Sequence, residues 1–307
     1  GVKPAHVTVG EAHAAVFFDG DKDTGVNASV AVFNEQTIAQ NPTTTPLLEY
    51  QTYMHGAAQT RDNYLVSTTR DVNSPTVLAD SIALYQLTDS GAVEQIKVFD
   101  VTCALLHGSA QNHDYIAFAC SDGVVLIEQD EENFTARKLL NSDDFAENQR
   151  IGTLKAHHNN EQIIGIAGTD LFSINPATNT IEKLDWQITA EQRLSSGTFN
   201  HDGSHMLTLD RAGVLTVFEQ ESDSGHQHWQ VKHNIQVTND DLSAMPDGQM
   251  FKLTLSKQDD IVFIANPISK QIVSYDIETG DKVDTIELDF VPDNLIWLGI
   301  AEEEHSH

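Results

Sequence analysis

Residues 115–133 read YIAFACSDGVVLIEQDEEN, two apolar runs joined by a short polar turn that contains glycine. Runs of this length, rich in β-branched and aromatic residues, predict two adjacent antiparallel strands. No part of the sequence shows an apolar stripe of helical period long enough for a packed helix. The chain is therefore predicted to be all-β.

The second run of this pair recurs along the chain as VAVFNEQ, IALYQLTDSG, VVLIEQDEEN, LFSINPATN, LTVFEQESDSG and IVSYDIETG. These segments begin at residues 30, 82, 124, 171, 215 and 272, so the intervals are 52, 42, 47, 44 and 57 residues. Each follows a strand of matching type, from AAVFFDG to IVFIANPIS. A period of about 45 residues with four short strands predicts the blades of a β-propeller.

Six four-stranded blades are visible, and the tail DNLIWLGIA is predicted to begin a further innermost strand. A propeller must close on itself to protect its edge strands. We therefore expect seven or eight blades in the complete molecule, with residues 1–307 forming a single propeller domain that lacks N-terminal blades. The chain begins at Gly1 and carries no signal peptide, so we expect a product from which a targeting segment has been removed.

The charge balance is strongly acidic, with 17 Lys and Arg against 46 Asp and Glu and a net charge of −29. Such a charge repels phosphate backbones and anionic membranes, so nucleic acid is not an expected partner. No run of eighteen apolar residues exists, so no membrane insertion is expected either. We expect a monomer, with the acidic surface serving solubility or concentrating cations near the protein.

The two cysteines, Cys103 and Cys120, flank a turn back into a strand. This spacing suits a disulfide across adjacent antiparallel strands, which would place the protein in an oxidising compartment. The alternative is two buried thiols in a cytosolic protein. Neither cysteine belongs to a CxxC motif, so a redox or zinc-finger role has little support.

Three histidines occupy matching places in successive repeats. His6 in KPAHVTVGEAHAAVFF, His55 in YMHGAAQTRDNYLVST and His107 in CALLHGSAQNHDYIAFAC each precede a strand by eight or nine positions. A repeat carries equivalent positions to equivalent places in space, so the three rings should converge. Three imidazoles suit zinc and leave its fourth position open. The alternative is that they only hydrogen-bond around a wet channel.

Further histidines are weaker candidates. His305 and His307 in the acidic tail EEEHSH could both reach a metal, because alternate residues of an extended chain point to the same side. The remaining candidates are expected to lie in surface turns or ahead of strands: His13, His113, His157, His158, His201, His205, His226 and His228. Motifs of nucleophilic, phosphate-binding and HExxH enzymes are absent from the sequence, so no enzyme is predicted.

The segments KPAHVTVGEAHAAVFFDGD, YMHGAAQ and CALLHGSAQNHDYIAFACSDGVVLI, with the tail PDNLIWLGIA, resemble the AztD family of periplasmic zinc metallochaperones. The resemblance implies a periplasmic propeller that passes zinc to AztC, the solute-binding protein of a zinc ABC transporter. It implies His6, His55, His107 and either His305 or His307 as zinc ligands, and it supports a Cys103–Cys120 bridge. Family members carry N-terminal blades and a His/Asp-rich segment, which we expect to be missing from this chain, so the resemblance places any ligand from that segment outside this sequence.

Two other functions remain open from the sequence. A propeller scaffold could bind a protein partner on one face without metal, and it would carry less than stoichiometric zinc. A metal-dependent hydrolase of the lactonase kind would need a base beside the metal. Glu11 and Asp62 are conceivable bases, but nothing in the sequence selects them, and the predominance of histidine counts against this chemistry.

Overall fold

A computed structural model describes residues 1–34, 38–39, 47–88, 91–189, 191–223 and 226–298. Within these residues, 24 strands form six four-stranded sheets, and the strands of each sheet follow one another in chain order. A short 3-10 helix occupies Leu242–Ala244. The predicted all-β class is confirmed, and so is the β-propeller architecture of four-stranded blades.

The first three sheets occupy the N-terminal half. Sheet 1 contains β1 (Pro4–Val9), β2 (Ala14–Phe18), β3 (Ser29–Phe33) and β4 (Leu47–Glu49). Sheet 2 contains β5 (Ala58–Arg61), β6 (Tyr64–Thr69), β7 (Ser81–Leu87) and β8 (Val93–Val98). Sheet 3 contains β9 (Ser109–Gln111), β10 (Tyr115–Ala119), β11 (Gly123–Asp130) and β12 (Asn133–Leu140).

The other three sheets follow the same plan. Sheet 4 contains β13 (Thr153–Lys155), β14 (Ile163–Ala167), β15 (Asp170–Asn175) and β16 (Thr180–Lys183). Sheet 5 contains β17 (Leu194–Phe199), β18 (His205–Asp210), β19 (Val214–Asp223) and β20 (His226–Gln236). Sheet 6 contains β21 (Lys252–Leu255), β22 (Ile261–Asn266), β23 (Gln271–Asp276) and β24 (Lys282–Glu287).

The recurring sequence pair forms the two middle strands of each sheet. In sheet 3, β10 and β11 pair antiparallel with Tyr115 opposite Glu128 and Ala119 opposite Val124. Residues 116–119 and 123–127 are buried without alternation, which explains why these strands are continuous apolar runs. The first and fourth strands are shorter or more polar, and they come from the segments between pairs.

The tail differs from its prediction. Residues 291–298 form no strand, and the rest of the tail lies outside the described residues. The Trp297 ring stacks on Phe263 of β22 with centroids 5.6 Å apart, and its amide donates to the Thr254 hydroxyl at 3.1 Å. Ring stacking and a side-chain acceptor therefore hold this segment, instead of the main-chain ladder that defines a strand.

The chain divides into two compact units. The first comprises Gly1–Lys155, Glu161–Ala167 and Ile174–Glu182, and the second comprises Ala156–Asn160, Gly168–Ser173 and Lys183–His307. The core of the first is built around Phe17, Leu65 and Phe118, and that of the second around Leu207 and Phe251. No helix in the described ranges is long and apolar enough to cross a membrane.

Candidate metal site

The structure brings His6, His55 and His107 together in the first unit. The ring centroid of His55 lies 5.0 Å from that of His6 and 5.0 Å from that of His107, and the outer two are 6.2 Å apart. The Nε2 atoms of His6 and His55 are 3.3 Å apart. His6 belongs to β1, whereas the other two histidines lie just ahead of β5 and β9.

Hydrogen bonds between the first strands of the sheets set this alignment. The Thr8 hydroxyl of β1 donates to the carbonyl of Ala58 in β5 at 2.7 Å. The side-chain amide of Gln59 in β5 donates to the hydroxyl of Ser109 in β9 at 2.8 Å. These side chains fix the position of the three strands relative to one another, and therefore bring together the histidines that the strands carry.

His55 is held from two sides. Its amide donates to the Val77 carbonyl at 2.8 Å, and the preceding Met54 amide donates to the Asp19 carbonyl at 3.0 Å. Gly56 allows the close approach that this requires, because a Cβ there would lie 2.3 Å from the Thr68 hydroxyl oxygen. The backbone around His55 is therefore fixed by contacts that do not involve its ring.

His107 is fixed by the end of β10 and the start of sheet 4. Its amide donates to the Ala119 carbonyl at 2.9 Å, and its Nδ1 lies 2.6 Å from the Gly152 carbonyl. Gly108 has φ 86°, a left-handed conformation that favours glycine. The His-Gly motif thus contains both the imidazole and the glycine turn that sets the direction of the histidine side chain.

Acceptors on the far side of two rings select the tautomer that a metal requires. The His55 Nδ1 lies 2.8 Å from Asp19 Oδ2, and the His107 Nδ1 faces the Gly152 carbonyl. Both oxygens only accept, so both Nδ1 atoms carry the proton and both neutral rings present a lone pair at Nε2. Metal-binding histidines in proteins commonly donate their second N–H to a carboxylate or a carbonyl in this way.

Asp19 is the residue of this site that sequence reasoning missed. It directly follows β2, and its Oδ1 is buried without a hydrogen-bond partner among the described residues. The signal was present in the repeated ending of the second strand, AAVFFDG beside YIAFACSDG, which places a carboxylate at the same edge of sheets 1 and 3. The sequence contains 46 Asp and Glu residues, so these carboxylates did not stand out from the others.

The ionisation of two of the rings differs. Burial lowers the pKa of His6 below its usual 6.5, and the neighbouring His55 and His107 lower it further. The hydrogen bond to Asp19 raises the pKa of His55 above 6.5, against the opposing effect of burial. His55 therefore binds a proton more readily than His6 does.

The spacing of two donors already suits zinc. Tetrahedral zinc with Zn–N bonds of about 2.0–2.1 Å separates its ligand nitrogens by about 3.4 Å, close to the 3.3 Å between the two Nε2 atoms. Over the described ranges, no group of three or more His, Cys, Asp or Glu side chains is arranged to hold a metal ion. Binding of one ion by all three rings would therefore require the side chains to rearrange from their positions in this structure.

The other predicted histidines lie elsewhere. His305 and His307 fall outside the described residues, as does the side chain of His226. His13 bonds the Asp62 carbonyl at 3.0 Å, and His113 bonds its own neighbour Asp114 at 2.8 Å. His157, His201 and His205 belong to the second unit. Glu11 and Asp62, the conceivable hydrolase bases, stand at the turns that follow β1 and β5.

The predicted disulfide is confirmed. Cys103 and Cys120 are bridged with an S–S distance of 2.00 Å and a Cα–Cα distance of 4.9 Å. The spacing had indicated a bridge between two adjacent strands, and the structure differs from that prediction. Cys103 lies in the β8–β9 connection and Cys120 directly follows β10, because the chain turns back toward β10 before β9 begins.

The chain matches no protein-family model and no curated protein sequence. Among solved structures it is similar to AztD of Citrobacter koseri, with TM-score 0.77, 19% identity, and coverage of 96% of this chain and 74% of that one. The apo form of that AztD gives TM-score 0.77 at 18% identity, covering 96% and 75% of the two chains. The Cps50 (Swd1) propeller domain of Myceliophteria thermophila gives 0.56 at 12% identity, covering 97% and 90%. The fold of this chain is an AztD-like β-propeller.

Proposed function

We propose that this protein is a periplasmic zinc metallochaperone that carries one Zn²⁺ on His6, His55 and His107. The observation that carries the proposal is the pair of acceptors, Asp19 and the Gly152 carbonyl, which hold the Nδ1 protons of two rings. A histidine that only fills a wet channel needs neither a fixed tautomer nor neighbours at ligand spacing. The AztD-like fold supports the same function.

Zinc would replace the hydrogen bond between the Nε2 atoms of His6 and His55. That bond holds a proton near the point where an ion would lie, so zinc would bind both atoms only once this proton has left that position, by release or by a change of tautomer. The Asp19 carboxylate would remain bonded to the far side of His55 and offset part of the ion's charge. Three nitrogens leave one of the four tetrahedral positions for another ligand.

The open fourth position is also the route by which the ion would leave. A ligand from a partner would enter it before the first three dissociate, so zinc would never be free during transfer. The His55 and Asp19 side chains are 26% and 23% exposed, so the cluster is within reach of an incoming ligand. Following the AztD resemblance, the partner is an AztC-like solute-binding protein of a zinc ABC transporter.

The proposed location agrees with the covalent structure. A buried disulfide forms and persists in an oxidising compartment. The bacterial periplasm is such a compartment, and it is where a solute-binding protein receives its metal. No catalytic step is proposed, and zinc is the cargo of the protein.

The test is zinc titration of the purified protein in competition with a chromogenic chelator. Single His6→Ala, His55→Ala and His107→Ala variants should each lose at least tenfold in zinc affinity, because each removes a direct ligand. The matched control is His113→Ala, since that exposed ring bonds its own neighbour Asp114. Unchanged affinity in the three variants would reject the site.

Transfer needs a separate measurement. Zinc-loaded protein is mixed with the metal-free solute-binding protein in the presence of a chelator that captures free zinc. Direct transfer predicts that zinc reaches the partner while the chelator stays empty. Loss of zinc to the chelator first would mean that the protein only stores the ion. Absence of zinc binding at neutral pH would instead favour a metal-free scaffold.

A further inference from the structure

The Cys103–Cys120 disulfide closes a loop that contains His107 and all of β9. Both cysteines are buried, at 0% and 1% exposure. Neither belongs to the proposed ligand set. Cys120 directly follows Ala119, whose carbonyl accepts the His107 amide, so the bridge and the anchor of His107 are one residue apart.

The segment from Cys103 to Leu106 leads into His107 and lies between two neighbours. On one side, the Cys103 and Leu106 amides donate to the carbonyls of Asp80 and Ala79. On the other side, the Ala104 carbonyl accepts the Ser121 amide at 2.8 Å. The disulfide joins the segment covalently to this second side, at the end of β10.

The segment also contains a strained turn. Leu105 has φ 53°, a left-handed conformation that costs free energy for any residue with a Cβ. Arg150 donates a hydrogen bond to the Leu105 carbonyl from outside the loop. A conformation of this kind persists only where its surroundings impose it, and here the bridge and Arg150 add to the backbone hydrogen bonds of Ala104 and Leu106.

We propose that Cys103 and Cys120 are positioning residues of the metal site, with the disulfide fixing the backbone from which the His107 ring reaches an ion bound by His6 and His55. The inference rests on the proposed zinc function. Metal ligands must be placed to within about 0.2 Å, and the described contacts of His55 do not include the bridge. Without the bridge, His107 keeps its hydrogen bonds, but the chain leading into it is free to shift.

The experiment is a double-mutant cycle on zinc affinity. The proteins are wild type, Cys103→Ala/Cys120→Ala, His107→Ala and the triple variant. Alanine replaces both cysteines because free thiols would themselves bind zinc. The cysteine pair should cost about tenfold in affinity, as the loss of an outer-shell partner does, and should cost less in the His107→Ala background. Equal effects in both backgrounds, or no effect in either, would overturn the proposal.

A stability control separates positioning from general weakening. Val262→Ala makes a cavity in the core of the second unit, and it should leave zinc affinity unchanged. A matching loss of affinity in this variant would show that any destabilisation weakens the site, which contradicts a specific role for the bridge.

Arg150→Ala provides a second perturbation of the same turn with the disulfide intact. It should lower zinc affinity by roughly twofold to fivefold, and the effect should shrink in the His107→Ala background. If the cysteine variant does not fold, this cycle decides: coupling to His107 supports the proposal, and its absence overturns it. If His107→Ala alone leaves zinc affinity unchanged, the zinc site itself fails, which is a different outcome.

Discussion

His55 is the residue through which the cluster responds to pH. Its ring stands between His6 and His107, and its Nδ1 bonds the Asp19 carboxylate. That bond raises the pKa of His55 above 6.5. Burial lowers the pKa of His6 below the same value. On the proposed function, zinc would therefore compete with a proton on His55 more than with one on His6.

Asp19→Asn tests this arrangement. Wild-type zinc affinity should fall as the pH drops through the raised pKa of His55. In the variant only burial acts on the ring, so the fall should begin at a lower pH. At about pH 8 the variant should bind zinc about 10–100-fold more weakly, because the outer-shell carboxylate is lost. An identical pH midpoint in both proteins would contradict the role of Asp19.

The stability of the metal-free protein should also depend on pH through His55 and Asp19. A raised folded-state pKa means that the His55–Asp19 contribution is fully present below pH 6.5 and is lost as the pH rises through the raised value. Asp19→Asn should therefore destabilise more at acidic than at alkaline pH. Chemical denaturation at several pH values measures this, and a pH-independent difference would count against the ion pair.

At the scale of elements, each histidine of the cluster is positioned by a strand or a turn that the sequence predicted. The middle strands were predictable because both of their faces are buried, which makes them continuous apolar runs. The sharing of one position by three histidines was predictable from the repeat. The repeated strand ending indicated a carboxylate at this edge, but not its contact with His55. That contact and the connections joined by the disulfide depend on where the chain crosses between strands, which no local pattern encodes.

The glycine after His55 offers an element-scale prediction. In Gly56→Ala the new Cβ would lie 2.3 Å from the Thr68 hydroxyl oxygen and 2.6 Å from the Phe17 ring. The His55 segment would have to move, so zinc affinity should fall about tenfold. Gly152→Ala is the matched control, because a Cβ there meets nothing within 4 Å and its carbonyl still accepts from His107. Similar losses in both variants would contradict this account.

At the scale of the whole molecule, the repeat is what brings histidines from distant parts of the sequence into one cluster. His6 and His107 are separated by about two blade lengths, yet their rings lie 6.2 Å apart. The net charge of −29 adds an attractive field for a divalent cation. The negative net charge and the histidine cluster thus both favour the binding of a divalent cation.

Zinc should stabilise the folded protein by mass action. At a free zinc concentration of 100 times Kd, the gain is about 2.7 kcal/mol, which corresponds to a rise in Tm of roughly 5 °C. Calorimetry with and without zinc measures it. His55→Ala should show no such rise, whereas His113→Ala should keep it. An equal rise in both variants would mean that zinc binds elsewhere.

The central claim is that one zinc ion lies among three rings from successive repeats. Anomalous scattering at the zinc absorption edge, from a crystal of the zinc-loaded protein, tests it most directly. We predict one strong peak at about 2.0–2.1 Å from the Nε2 atoms of His6, His55 and His107. A peak that contacts none of these rings, or no peak between them in a crystal that contains zinc, would contradict the claim.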